Sequence, residues 1–241
     1  MYISKHQSAD FKWRHYTAEI ILLCVRWYLR YRLSYRDLKE MMHERGLELD
    51  HSAICRWVQH YGPTMQKRMT KYLKSPNRSW RVDETYIKIK GEWHYLYRAV
   101  DSDGQTIDFY LSKKRDHQAA KQFFKKMHGL KRTKEPRTMN VDKNAAYPLA
   151  FSQLQEEGLF VRSKLRRKKY LNNIIEQDHR RVKWKNRHAM GFFNFTSAKR
   201  TIQGIEAMHM LFKGQIKGIT NSVSSINKFV ESLFGLEAVT C

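Results

Sequence analysis

Between residues 161 and 187 the chain carries eleven Lys and Arg residues against two acids, Glu176 and Asp178. A segment built only to hold a polyanion has no need of carboxylates. A carboxylate kept inside a phosphate-attracting surface is what metal-assisted phosphoryl chemistry requires, because Mg²⁺ takes oxygen ligands and bridges them to phosphate. Asp83 and Asp142 extend this reading. Asp83 interrupts an aromatic-rich run, residues 80–89, that reads as a strand, a setting that disfavours aspartate. Asp142 closes a short strand-like run, residues 137–142. Each acid alone has a plainer reading: a surface strand residue for Asp83, a helix cap for Asp142, a favourable helix N-terminus for Glu176. Two neighbouring acids are set apart by geometry. Glu84 points to the opposite face of its strand from Asp83, and Asp178 lies about 200° round a helix from Glu176.

The surrounding elements decide whether the three acids meet. After residue 80 the pattern is that of strands: residues 80–89, a turn at Lys90, Gly91 and Glu92, residues 93–100, a hairpin signal at Asp103 and Gly104, and residues 107–111. Asp116 caps a helix ended by Gly129. A fourth strand, a helix ended by Gly158, a fifth strand over residues 159–162, and helices over 173–187 and 196–213 follow. This order predicts an α/β (α+β) fold, an RNase H-like core with a mixed five-stranded sheet. There the first and fourth strands lie side by side, so Asp83 and Asp142 face each other while Glu176 arrives on a later helix. Three carboxylates at one end of a sheet can hold two Mg²⁺ ions about 3.5–4 Å apart.

Upstream, helical spacing over residues 17–31 precedes a capping-box-like start at Ser34 and Asp37, a stop at Gly46, and a short third helix begun by Asp50 or Ser52 and ended by Gly62 and Pro63. Three helices with Arg56, Gln59 and His60 outward, and His51 and Ser52 at the head of the third, predict a helix-turn-helix module; a plain three-helix bundle is the alternative. The expected organisation is therefore a DNA-binding domain over residues 1–64, a basic linker over 65–79, a catalytic domain over 80–213 and a C-terminal tail over 214–241.

Net charge is +23 with a pI of about 10.0, which points to nucleic acid as the partner. No apolar run approaches the roughly 18 residues of a membrane span, and the first 13 residues are too polar for a secretory signal. Three scattered cysteines, Cys24, Cys55 and Cys241, imply a reducing compartment, and no pair has zinc-ligand spacing. The absence of a His/His/Cys/Cys module argues against a retroviral-type integrase.

Several motifs in order resemble a known family. Trp80, Arg81, Val82, Asp83, Glu84, Thr85 and Tyr86, continued by Leu96 to Asp101, look like the first-aspartate signature of the DDE transposases of bacterial insertion sequences. Asn140, Val141, Asp142 and Lys143 resemble the second. Tyr170, Asn172, Asn173, Glu176, Gln177, Asp178 and His179 resemble the third, and Gly204 to His209 a C-terminal helix. The group most similar is the insertion sequence six family. The 33 residues between Asp142 and Glu176 suit its last two acids, whereas residues 183–188 lack the proline of its basic stretch.

The resemblance implies a transposase that binds the terminal inverted repeats of its element, nicks 3′ ends and joins them to target DNA as cointegrates. Asp83, Asp142 and Glu176 would be the catalytic metal ligands for two Mg²⁺ ions, with Mn²⁺ as a substitute. Lys143 and Arg180 would contact phosphate, Asn173 would orient the glutamate or touch backbone, and Trp184 would stack on a base or sit in the core. Arg166, Arg167, Lys168, Lys169 and Lys183 belong with the sequence-independent DNA contacts, and His51, Ser52, Arg56, Gln59 and His60 with recognition. Synapsis of two ends implies at least a homodimer. The rival readings are a non-catalytic helix-turn-helix regulator and a structure-specific nuclease on the same core.

Overall fold

The computed structural model describes residues 9–12, 15–168, 173–188 and 192–236. They form two compact units, Met1–Leu73 with Phe195–Cys241, and Lys74–Asn194.

In the second unit, β1 (Ser79–Ile89), β2 (Glu92–Asp101) and β3 (Thr106–Ser112) form an antiparallel meander. Lys90 and Gly91, both at positive φ, make the first turn, and Gly104 at φ +77° serves the second. Helix α4 (His117–His128), β4 (Thr138–Val141), α5 (Ala146–Glu156), β5 (Lys164–Arg167) and α6 (Asn173–His188) follow. The sheet order is β3-β2-β1-β4-β5, with β4 parallel to both β1 and β5. This mixed five-stranded arrangement is the RNase H-like order expected from the sequence.

Alternation in the strands splits the sheet into two faces. Trp80 and Val82 of β1, Tyr97 and Ala99 of β2, and Met139 and Val141 of β4 pack with Phe123, Phe124, Tyr147 and Leu154 of α4 and α5. The other face of β1 and β2, carrying Asp83 and Arg98, meets α6.

The fifth strand lies further along than the pattern predicted. Residues 159–162 are not a strand. Gly158 and Phe160 both take positive φ, and the turn drives Phe160 into the core, where it is 1% exposed. Hydrophobic residues there signalled burial, not pairing. The strand itself is Lys-Leu-Arg-Arg, a largely exposed edge whose charges discourage further pairing.

In the first unit, α1 (Ala18–Arg30), α2 (Tyr35–His43) and α3 (His51–Met69) are joined by α7 (Phe195–Phe212) and α8 (Val223–Leu233). Ser34 and Asp37 form the expected capping box, and the Asp50 carboxylate accepts from Ser52 N–H. Helix α3 does not stop at Gly62 and Pro63; it runs on to bury Met65 and Met69. Pro63 cannot donate to the Gln59 carbonyl, yet the helix persists because its inner face is packed. Gly62 serves close approach rather than termination. A Cβ placed there would meet the Gly204 Cα of α7 at 3.2 Å.

Helix α7 thus belongs with the N-terminal helices, not with the sheet as the expected 80–213 boundary had it. Residues 214–236 are not a plain tail either. Phe234 of the segment after α8 packs edge-on to Phe11 and Tyr61, and Arg68 bridges Asp10 and the Leu233 carbonyl. Among the described residues, no helix is long and apolar enough to cross a membrane.

Candidate active site

The pairing of β1 with β4 ends at Val82 opposite Val141, so the next residues of these two parallel neighbours are Asp83 and Asp142. Carboxylate oxygens of Asp83, Glu84 and Asp142 all lie within 4.8 Å of one another. The pleat sends Asp83 and Glu84 to opposite faces as expected, but Asp142, just past the end of β4, is within reach of both. Glu84 is therefore part of the cluster that the sequence reading had set it apart from.

On the α6 face, His179 Nε2 lies 3.2 Å from Asp83 Oδ2 and is 2% exposed. The preceding residue, Asp178, pairs with the buried Arg98 at 2.7 Å. Burial lowers the His179 pKa, although Asp83 pulls the other way. Glu176 stands in the first turn of α6, three residues before His179, so the two share a helix side. It is exposed and is not a member of the 4.8 Å group. Glu176, Arg180, Lys183 and Arg187 are all exposed and recur at helical spacing, which puts an acid at the head of a basic stripe.

On the opposite face, Glu84 Oε1 accepts from Arg115 Nε at 2.6 Å and from Asn144 Nδ2 at 3.1 Å, and Glu84 Oε2 accepts from the Tyr147 hydroxyl. Asn144 N–H donates to Asp142 Oδ1 at 2.9 Å. Burial raises the Asp142 pKa; the Asn144 bond opposes this, and the nearby Glu84 and Asp83 charges add to the rise.

The remaining residues singled out by sequence are dispersed. Lys143 is exposed beside Asp142, and its carbonyl accepts from Arg167 at 2.7 Å. Arg166, Arg167 and Lys168 are exposed on or beside β5; Lys169, with Tyr170 and Asn172 of the third motif, lies outside the described residues. Asn173 is exposed and Trp184 half-buried.

In the first unit, His51 and Ser52 head α3, and Arg56 reaches back to the Ser52 hydroxyl at 3.3 Å. Arg56, Gln59, His60 and Pro63 line an open cavity of about 330 Å³ with Arg200 of α7. Sequence reasoning missed Arg200, because nothing in its spacing reveals which helix α7 packs against. It also missed Arg115, Asn144 and Tyr147. The one signal was local: Asn144 stands two residues after Asp142, an Asx-turn spacing.

A five-stranded sheet in the order 3-2-1-4-5, with paired aspartates at the junction of the first and fourth strands, defines an RNase H-like core of the polynucleotidyl-transferring class. Comparison with known proteins gives the family. Residues 77–215 match the family model of a transposase DDE domain. The transposase for insertion sequence-like element IS431mec of Staphylococcus aureus is 38% identical over 203 residues, covering 84% of this chain and 88% of that protein. The transposase for insertion sequence element IS257 in transposon Tn4003, also of Staphylococcus aureus, matches to the same extent. Among solved structures, the HTLV-2 integrase catalytic core domain in complex with magnesium aligns with a TM-score of 0.39 and 18% identity, over 66% of this chain and 97% of that one. The chain belongs to the DDE transposases of bacterial insertion sequences, in the insertion sequence six family, and is a DNA transposase.

Proposed function

We propose that this transposase binds the terminal inverted repeats of its element through the α1–α3 module, nicks the 3′ ends and transfers them to target DNA, generating cointegrates. The observation that carries the chemistry is the register of β1 and β4, which leaves Asp83 and Asp142 as next neighbours at the strand ends. In nicking, water bonds to a phosphorus at the element end and the bond to the 3′ oxygen breaks, freeing a 3′-hydroxyl. In transfer, that hydroxyl attacks a target phosphodiester and displaces its 3′ oxygen.

The donor set fits divalent cations. Carboxylate oxygens of Asp83, Glu84 and Asp142 lie within 4.8 Å of one another, and the Asp142 pKa is raised mainly by burial, with the Glu84 and Asp83 charges adding to the rise. Asp83, Asp142 and Glu176 supply oxygen ligands of the kind Mg²⁺ takes. Two such ions, when bound, stabilise the attacking and leaving oxygens of an in-line displacement. His179 holds one Asp83 oxygen and leaves the other for the site. Lys143, Arg180 and Lys183 line the approach with positive charge, and Arg166, Arg167 and Lys168 extend it. Two ends must be brought together, so the active form contains at least two copies of the chain, working in the bacterial cytoplasm where its DNA is.

The test uses purified chain, duplexes carrying the element ends and a supercoiled target plasmid. Asp83→Asn, Asp142→Asn and Glu176→Gln are each expected to lose strand transfer while end binding stays within about twofold. Full transfer by any one of them removes that residue from the site.

A further inference from the structure

We propose that Glu84 is a positioning residue for Asp142, acting through Asn144. The proposal rests on Asp142 being a metal ligand, and concerns what holds its carboxylate in place.

Three features of the geometry support it. First, Glu84 is occupied. Its Oε1 takes Arg115 Nε at 2.6 Å, Arg115 Nη2 at 2.5 Å and Asn144 Nδ2 at 3.1 Å, and its Oε2 takes the Tyr147 hydroxyl. With donors on both oxygens and its charge matched by Arg115, Glu84 is not free to serve as a ligand, although it lies within 4.8 Å of Asp83 and Asp142.

Second, Asn144 joins Glu84 to Asp142. Its side-chain amide donates to Glu84 and its backbone N–H donates to Asp142 Oδ1 at 2.9 Å, while its Oδ1 accepts from Ala146 N–H at 3.0 Å. One residue thus ties the carboxylate, the loop and the start of α5 to a fixed acid on β1.

Third, Asp142 has no strand to hold it. It follows the last residue of a four-residue strand, so its direction is set by the loop. A ligand on a loop needs support from groups that are themselves locked by packing. Glu84 is locked: Val82, two residues earlier on the same face of β1, is fully buried, and Tyr147, which donates to Glu84, is too.

The experiment measures Mn²⁺ binding to the DNA-free chain by electron paramagnetic resonance, with thermal unfolding and end binding measured alongside. Asn144→Ser keeps a short acceptor for Ala146 N–H but cannot reach Glu84. Glu84→Gln keeps an acceptor oxygen for Asn144 while removing the charge. The expected result is at least a tenfold loss of Mn²⁺ affinity in Asn144→Ser and in Glu84→Ala, a smaller loss in Glu84→Gln, and no further loss in the Asn144→Ser, Glu84→Ala double variant, because the two act in series. If Glu84→Ala does not fold, the comparison of Asn144→Ser with Glu84→Gln decides.

Near-normal Mn²⁺ binding in Asn144→Ser together with loss in Glu84→Gln would make Glu84 a direct ligand and overturn the relay. Unfolding at lower temperature with Mn²⁺ affinity within twofold in all variants would make the network merely structural, which also overturns it. Asp142→Asn with unchanged Mn²⁺ binding would instead overturn the reading of Asp142 on which the proposal rests.

Discussion

Arg98 and Asp178 form a buried ion pair at 2.7 Å, with side chains 0% and 8% exposed. Arg98 sits directly across the β1–β2 ladder from Asp83, on the same face. Helix α6 answers the two with successive residues: Asp178 takes Arg98 and His179 takes Asp83. The arginine is thereby neutralised by α6 rather than by the candidate ligand beside it.

Removing one member of a buried pair leaves the other charge uncompensated. Asp178→Asn should therefore lower stability by about 3–5 kcal/mol, measured by denaturant unfolding. Glu176→Gln, at an exposed position, should change it by less than about 0.5 kcal/mol. Equal stabilities for the two variants would show that the pair does not anchor α6.

The approach of α3 to α7 makes a second prediction. A Cβ at Gly204 would lie 2.8 Å from both terminal carbons of Leu29 and 3.1 Å from the Gly62 Cα. Backbone on one side leaves little room for relaxation. Gly204→Ala should cost about 1–3 kcal/mol by overpacking, and Leu29→Ala in the same chain should recover part of the loss. Stabilisation by Gly204→Ala, as helix propensity alone would give, would show that the contact is looser than described.

Recognition and phosphate contact should separate by salt. Arg56 lies on α3 near its start, where a helix-turn-helix module meets base edges, and Arg commonly reads guanine. Arg56→Ala should weaken binding to terminal-repeat duplex by about 1–3 kcal/mol and reduce preference over scrambled DNA. Neutralising Arg166, Arg167 and Lys168 should weaken both DNAs alike and flatten the salt dependence. The reverse pattern in a salt series of binding constants would exchange the roles of the two surfaces.

Arg200 faces the same cavity as Arg56, Gln59 and His60. Acting on phosphate, it would carry no sequence information. Arg200→Ala should lower affinity for repeat and scrambled duplexes equally and reduce the salt slope by about 1. An unchanged slope would place the DNA away from α7.

The sequence by itself determined what depends on neighbours in the chain. Alternation and turn chemistry at Lys90, Gly91, Asp103 and Gly104 were enough for the meander, and the capping signals at Ser34 and Asp116 appear as expected. The order of elements was enough to set β1 beside β4, and hence Asp83 beside Asp142, because an RNase H-like topology leaves one arrangement. Tertiary structure decided what depends on partners distant in sequence. Gly62 and Pro63 read as a helix stop, but α3 continues because its inner face, Met65 and Met69 included, is packed, and Gly62 serves the close approach of Gly204. Residues 159–162 read as a strand, but Phe160 is spent on the core and pairing passes to residues 164–167. Asp178 and Glu84 read as bystanders by the geometry of their own helix and strand. Their partners, Arg98 for one and Arg115, Asn144 and Tyr147 for the other, stand 80, 31, 60 and 63 residues away, and no local periodicity encodes a contact across such separations.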